Sequence, residues 1–251
     1  MDNTLFVGLS RQMTLRRELD LIANNLANAD TQGFKVESMM LETDPARPPG
    51  SMKSSDNRPI AFVLDTGVAR DFGQGALTQT GAPFDMAIDG QAFFKIQTAG
   101  GERYTRDGRF TLDPTGKLTT QDGHPVLDDD GGEITVDMTQ GPVAIGKDGT
   151  MTQSMQGNTT RIGKVGLARF DDMTSLAKDG DNAYRNTSNQ TAQAAPDATI
   201  MQGMLEGSNV KPVLEITRMI QVSRAYESIA RTMDNAADLS KRSIERLGRL
   251  N

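Results

Sequence analysis

The most informative segment of the chain is PVLEITRMIQVSRAYESIARTMDNAADLSKRSIERLGRL, residues 212–250, in which apolar and small residues recur at alternating spacings of three and four. Such spacing places them on one face of an α-helix and is typical of helices that pair with other helices. Ser208 or Asn209 can cap the helix, and Pro212 falls in its first turn, where proline is tolerated. We predict a helix of about 40 residues, or about 60 Å at 1.5 Å per residue. The face comprises Met219, Val222, Tyr226, Ile229, Met233, Ala236, Ser240, Ser243, Leu247 and Leu250.

A second helix is predicted over the first thirty residues or so. Its main apolar face carries Leu5, Leu15, Leu19, Ile22 and Leu26. A neighbouring face carries Phe6, Leu9 and Met13, so the apolar surface of this helix is broad. The pattern stops at residues 28–33, where polar side chains and a glycine favour a helix end followed by a turn.

The chain between the two helices changes character twice. Residues 44–59 are rich in proline, serine and glycine, a composition typical of an extended linker. Short strand-like runs follow, separated by turn dipeptides such as Asp89-Gly90, Asp122-Gly123 and Asp148-Gly149. Turn signals at roughly every 8 to 12 residues indicate antiparallel β-hairpins, which we expect to close into a barrel or a sandwich.

Together these patterns predict an α+β protein with an all-β middle domain, in which the long N- and C-terminal helices pair as a coiled-coil-like stalk. We assign residues 1–35 to the N-terminal helix, 36–75 to an extended linker, 76–207 to the β-rich middle domain and 208–251 to the C-terminal helix. With 36% hydrophobic residues, 5% aromatic residues and no Trp, the chain has little core material. We therefore expect its terminal helices to need partners.

Composition excludes several classes of function. The chain has no Cys, which rules out disulfides, zinc–thiolate sites and cysteine nucleophiles. No apolar run is long enough to span a membrane, and we recognise no cleavable signal peptide, so any export is expected to use another route. The net charge is −6 overall, but the middle of the chain alone carries −9, and this acidic middle argues against nucleic acid as a partner.

Three short segments could suggest a binding or catalytic site but are better explained as turns. GPVAIGKD, residues 141–148, has the spacing of a phosphate-binding loop up to Lys147 but lacks the Ser or Thr that should follow. The acidic run at residues 128–133 has a glycine where a calcium loop needs its third oxygen ligand. His124 is the single histidine. We therefore predict no catalytic residue, no metal, no cofactor and no small-molecule substrate, although paired carboxylates of the glycosidase kind stay open.

Several segments resemble, in the same order, the motifs of flagellar rod and hook proteins. They are ANNLANADTQGFK at residues 23–35, GALTQTGAPFDMAIDG at 75–90, YTRDGRF at 104–110, LEGSNV at 205–210 and QVSRAYE at 221–227. The opening DNTLFVGLSRQ, residues 2–12, and the moderate length are most similar to proximal rod members of the family. Distal rod members are the nearest alternative, and hook proteins, which are generally longer, rank third.

The resemblance implies a structural, non-enzymatic subunit of the proximal rod of the flagellar basal body. Such a subunit polymerises through its terminal helices into a tubular drive shaft that transmits torque and encloses the export channel. It implies a periplasmic location, export through the flagellar type III apparatus, and contacts with that apparatus, with other rod proteins and with copies of itself. The expected assembly interface is Leu5, Leu15, Leu19, Ile22, Asn25, Leu26, Met219, Val222, Tyr226, Ile229, Met233 and Leu247.

Two other classes of function stay open at this stage. The β domain could be a carbohydrate-active domain that cleaves cell-wall glycan. The terminal helices could instead belong to a soluble coiled-coil adaptor.

Overall fold

The computed structural model describes residues 2–46, 60–155, 158–188 and 191–248. In these ranges, two α-helices, α1 (Asp2–Ala27) and α2 (Pro212–Gly248), precede and follow a β-rich middle along the chain, which also contains a short 3-10 helix at Met173–Ser175. In the described part of the chain, no helix combines the length and the apolar character needed to cross a membrane. The strands are β1 (Glu37–Ala46), β2 (Ile60–Arg70), β3 (Leu77–Gln79), β4 (Met86–Asp89), β5 (Phe93–Thr98), β6 (Gly101–Thr105), β7 (Phe110–Leu112), β8 (Leu118–Thr120), β9 (Val143–Ile145), β10 (Thr150–Met155), β11 (Asn158–Lys164), β12 (Leu167–Arg169), β13 (Leu176–Lys178), β14 (Ala183–Asn186), β15 (Gln193–Ala194), β16 (Thr199–Gln202) and β17 (Met204–Glu206).

The chain divides into two compact units that interleave along the sequence. The helical unit comprises Met1–Ala27, Glu37–Arg70 and Lys211–Asn251. The β body comprises Asn28–Val36 and Asp71–Val210. The chain therefore leaves the β body once near its beginning, returns after β2, and leaves again just before α2.

Within the helical unit, β1 and β2 form an antiparallel hairpin in the range interpreted above as an extended linker. The register runs from Glu37 opposite Arg70 to Ala46 opposite Ile60, with a bulge between Met40 and Leu41. Residues 47–59, most of the proline-rich stretch, lie outside the described residues. β2 does contain strand-forming residues, but the prolines and glycines that precede it favour a linker in the sequence pattern.

The predicted coiled-coil-like stalk is wrong, although the α+β class is right. Leu15, Ile22 and Val222 form a small buried cluster between α1 and α2, and α1 also contacts both strands of the hairpin. A coiled coil buries a continuous seam along both helices. Here Ile229 and Met233, which continue the predicted face of α2, are only partly buried, so the fully buried contact is short. The physical reason is that the sequence face of α2 becomes lean beyond Met233, where alanine and serine replace large apolar residues.

In the β body, the predicted hairpins are present but are distributed over several small antiparallel sheets in the described part of the chain. The largest has six strands in the order β13-β14-β6-β5-β12-β15, and a second has three in the order β11-β10-β9. Strands β16 with β4, β17 with β3, and β7 with β8 form two-stranded sheets. These sheets do not form the single barrel or sandwich that we expected.

Two clusters of buried apolar side chains form the core of the β body. Phe94 and Phe110 pack edge to face with ring centroids 5.0 Å apart, within a cluster that includes Met86, Ile88 and Leu118. A second cluster contains the rings of Phe93, Tyr104, Phe170 and Tyr184. Aromatic rings bury large apolar areas and gain further stability from edge-to-face contacts. Aromatic rings therefore add stability to a core that otherwise consists of aliphatic side chains.

Candidate assembly surface

Helix α1 carries two apolar faces with opposite environments. Leu15 is 2% exposed and Ile22 is also buried. Phe6, Leu9 and Met13 are 61%, 46% and 67% exposed. These three residues are spaced three and four apart and so lie along one face of the helix.

Helix α2 has the same division. Val222 is buried against α1, with Met219 and Tyr226 partly buried beside it. Val213, Ile216 and Ile220 are exposed, at the same spacing as the exposed residues of α1. We call these two rows, Phe6-Leu9-Met13 and Val213-Ile216-Ile220, the outer stripes. Sequence reasoning singled out the first row but missed the second, although its spacing of three and four was visible.

Most residues of the predicted assembly interface lie between the two helices of this chain. Leu15, Ile22, Asn25 and Val222 are buried, and Leu19, Leu26, Met219, Tyr226, Ile229 and Met233 are partly buried. The backbones of Leu5 and Leu247 belong to α1 and α2, and their side chains lie outside the described ones. The structure thus brings most of the predicted set together within one subunit and leaves the outer stripes beside it.

Gly8 allows α1 and α2 to approach each other closely. A Cβ atom at this position would meet Met233 Cγ at 3.0 Å and Met233 Sδ at 3.2 Å. Val7, Arg11, Ile229 and Thr232 are among the residues that line a shallow, mostly apolar groove around this contact.

Asn25 performs a polar task inside the helical unit. Its amide nitrogen donates to the Glu37 carbonyl at 2.8 Å and to Glu215 Oε2 at 3.1 Å, and its oxygen accepts from the Glu37 N–H at 3.0 Å. Glu37 in turn accepts from Arg70 Nε at 2.9 Å. A buried amide whose hydrogen bonds are satisfied fixes the positions of the groups that it joins. Asn25 therefore ties α1 to β1 and α2 within one subunit.

The motifs that invited chemistry are turns. Residues 146–149 connect β9 to its antiparallel partner β10, so no helix follows Lys147 to receive a phosphate. Asp128 Oδ1 accepts from the N–H groups of Asp130 at 2.9 Å and Gly132 at 2.7 Å. His124 Nε2 lies 3.5 Å from Asp181 Oδ2 at the surface. Among the described residues, no three His, Asp or Glu side chains are placed to hold a metal ion.

Comparison with known proteins gives matches along the chain. Residues 5–35 match the family described as flagella basal body rod protein. Residues 87–153 match the flagellar hook protein FlgE/F/G D1 domain, and residues 201–246 match the flagellar basal body rod FlgEFG protein C-terminal family. The order agrees with the segments on which the resemblance was based.

Full-length relatives extend these matches. The chain is 59% identical to the flagellar basal-body rod protein FlgF of Caulobacter vibrioides over 100% of both chains. It is 38% identical to FlgF of Mesorhizobium japonicum over 99% of both chains. It is 32% identical to FlgG of Bacillus subtilis over 95% of this chain and 97% of the other.

These findings define a structural protein of the bacterial flagellum, and the chain belongs to the flagellar basal-body rod protein family. Among the relatives named here it is more similar to FlgF, the proximal rod type, than to FlgG. It is therefore a structural subunit of the rod, which places it in the basal body in contact with other rod components.

Proposed function

We propose that this subunit joins the rod by burying its outer stripes against neighbouring rod subunits, including copies of itself. The observation that carries the proposal is the exposure of six large apolar side chains in two regular rows, Phe6-Leu9-Met13 and Val213-Ile216-Ile220. Regular apolar rows on a protein surface are typical of sites that bind other proteins. Burial of such side chains on assembly provides a large favourable free energy.

This proposal changes the role of the residues expected to form the assembly interface. Leu15, Ile22 and Val222 hold α1 and α2 together within a subunit, which sets the orientation of both outer stripes. Asn25 fixes the same helices to the hairpin. The assembly surface itself consists of the exposed rows, while the buried residues position it.

The finer features of the function are part of the same proposal. The subunit acts in the periplasmic part of the basal body as a mechanical element of a tubular shaft, which transmits torque and surrounds the export channel. It reaches that site through the flagellar export apparatus and performs no catalysis. Family membership and the exposed stripes support this account.

A matched pair of substitutions tests the assembly surface. Met13 on α1 and Met138 in a turn of the β body are 67% and 58% exposed. Met13→Glu introduces a charge that an apolar interface would have to desolvate, while glutamate keeps a good helix former in α1. We expect Met13→Glu to abolish incorporation into basal bodies and swimming, and Met138→Glu to leave both intact.

Folding of the monomer must be measured alongside motility. Both substitutions are at exposed positions, so the free energy of unfolding should change by no more than about 0.5 kcal/mol in either variant. Normal incorporation of a folded Met13→Glu subunit into rods would show that the outer stripe of α1 is not an assembly surface.

A further inference from the structure

A buried ionic cluster lies in the β body around Glu206. Lys35 Nζ is 2.5 Å from Glu206 Oε1, and Arg106 Nη1 is 3.0 Å from Glu206 Oε2. All three side chains are at most 2% exposed. The Gly75 N–H also donates to Oε1 at 2.9 Å, so the carboxylate is fully engaged.

The two cations of this cluster extend it to neighbouring backbone. Lys35 Nζ donates to the Gly73 carbonyl at 2.8 Å, and Arg106 Nη2 donates to the Gly90 carbonyl at 2.6 Å. Arg106 Nε is buried without a hydrogen-bond partner among the described residues. Burial lowers the pKa of Lys35, and the nearby carboxylates of Glu206 and Asp71 oppose that effect. A buried ion cluster is a poor source of net stability compared with apolar packing, so its presence here points to a role in fixing positions.

Backbone hydrogen bonds join the same segments. The Gly33 N–H donates to the Glu206 carbonyl at 2.7 Å, and the Asn209 N–H donates to the Phe34 carbonyl at 3.3 Å. The Asn209 side chain accepts from the Val36 N–H at 2.8 Å. The segments also pack backbone to backbone, since a Cβ atom on Gly75 would lie 2.0 Å from the Gly207 carbonyl oxygen.

Asn209 also binds the segment that returns from the hairpin. Its amide nitrogen donates to the carbonyls of Asp71 at 2.7 Å and Gly73 at 3.1 Å. The Asp71 N–H donates to the Val36 carbonyl at 3.0 Å. Residues 33–36, 71–75 and 206–209 are thus fastened to one another, and we call this set the exit clamp.

The exit clamp lies where the chain leaves the β body. The chain passes into the helical unit after Val36, returns at Asp71, and passes into it again after Val210. Gly33 is bonded to Glu206 and Phe34 to Asn209, so the two segments run in the same direction. A load on the two chain ends pulls such segments along their length in opposite senses, and therefore loads all the bonds between them at once.

We propose that the exit clamp is a mechanical clamp, which carries load between the first and last segments of the β body and keeps that load off its sheets. A shaft subunit that is held through its terminal helices receives force through residues 28–36 and 206–210. The clamp transfers this force directly from one segment to the other. The role of the clamp in the rod rests on the proposed function. Its resistance to force, however, is a property of the isolated chain.

Single-molecule pulling on the full chain tests the clamp in two geometries. One pair of handles is fused to the two chain ends, and the other is coupled to cysteines introduced by Met138→Cys and Asp171→Cys at exposed positions of the β body. The chain has no native Cys, so thiol coupling is specific. The test variant is Lys35→Met, which removes the amine but leaves Glu206 paired with Arg106. Its matched control is Lys164→Met, which removes a surface pair with Asp129, 2.6 Å long.

The predicted result depends on the direction of pulling. At constant force on the chain ends, Lys35→Met should accelerate rupture of the β body on the order of 100-fold, because loss of one partner of a buried ion pair is severe. With handles at residues 138 and 171 the change should stay within about twofold, because both residues lie outside the bonded segments of the exit clamp and distant sites act independently. Lys164→Met should change neither rate by more than about twofold.

Equal acceleration in both geometries would show a general loss of stability and overturn the clamp, as would no acceleration under load on the chain ends. Asn209→Ala provides a second variant with the same expected direction, should Lys35→Met fold poorly. Neither result depends on rod assembly. Failure of the clamp is therefore distinguishable from failure of the outer stripes as an assembly surface.

Discussion

Phenylalanine side chains have opposite environments in the β body and in the helical unit. Phe94 in the β body is 0% exposed and packs against Phe110, whereas Phe6 on α1 is 61% exposed. The β body encloses two clusters of large apolar residues, and the helical unit buries Leu15, Ile22 and Val222. One unit completes its own core, while the other leaves apolar rows at its surface.

The difference shows how a chain with little core material can fold and still polymerise. Aromatic rings are concentrated in the β body, where each stabilises the fold of the monomer. Helices with a lean buried face gain most of their stability from packing against neighbours. The helical unit is therefore the part whose stability should depend most on assembly.

The largest expected effect is on the β body. Phe94→Ala removes a fully buried ring and should lower the free energy of unfolding by about 3–5 kcal/mol, because the cavity cannot collapse completely. Phe6→Ala removes an identical ring from an exposed position and should lower the free energy of unfolding by no more than about 0.5 kcal/mol. Urea unfolding of both variants measures the difference. Similar losses in the two variants would contradict the division into a completed and an incomplete unit.

A second pair compares the two faces of α1. Leu15→Ala removes a buried contact with α2 and should lower the local unfolding free energy of the helical unit by about 2–4 kcal/mol. Leu9→Ala, on the outer stripe, should change it by no more than about 0.5 kcal/mol. Hydrogen exchange of the α1 amides measures both values in the unassembled chain. Faster exchange in Leu9→Ala than in Leu15→Ala would reverse the assignment of the two faces.

The smallest expected effect concerns the stability of the β body at low pH. Four turns of the β body share the pattern Asp-x-Thr, and in each the threonine hydroxyl donates to the aspartate and lowers its pKa from the ordinary value of 3.8. A lowered carboxyl pKa contributes stability that is present above the ordinary value and is lost as the pH falls through the folded-state value. Removing one such hydroxyl should therefore raise the pKa of that aspartate. The stability that this aspartate contributes should then be lost at a higher pH.

Thr150→Val tests this effect at Asp148, whose carboxylate accepts from the Thr150 hydroxyl at 2.7 Å. Thr152→Val on the same strand is the control, because the Thr152 hydroxyl donates instead to the Ala144 carbonyl. NMR titration of Asp148 between roughly pH 2 and pH 5 gives the pKa directly. An unchanged Asp148 pKa in Thr150→Val would show that the Thr150 hydroxyl is not the cause of the lowered pKa.

Local patterns in the sequence predicted the elements that depend on neighbouring residues. The spacing in residues 212–250 predicted α2, and turn dipeptides such as Asp148-Gly149 predicted hairpins that the structure contains. The same reasoning gave the wrong result where distant segments compete. It predicted a coiled-coil stalk, but α1 packs on the β1–β2 hairpin as well as on α2.

The two helices, the hairpins and the family could all be predicted from residue spacing, turn chemistry and motifs, because these signals operate over a few residues. Tertiary packing sets which row of each helix is buried and which forms an outer stripe. It also brought Lys35 to Glu206 across 171 residues of sequence. Burial and ion pairing depend on the partner that the fold brings near a side chain, and a single segment of sequence does not contain that partner.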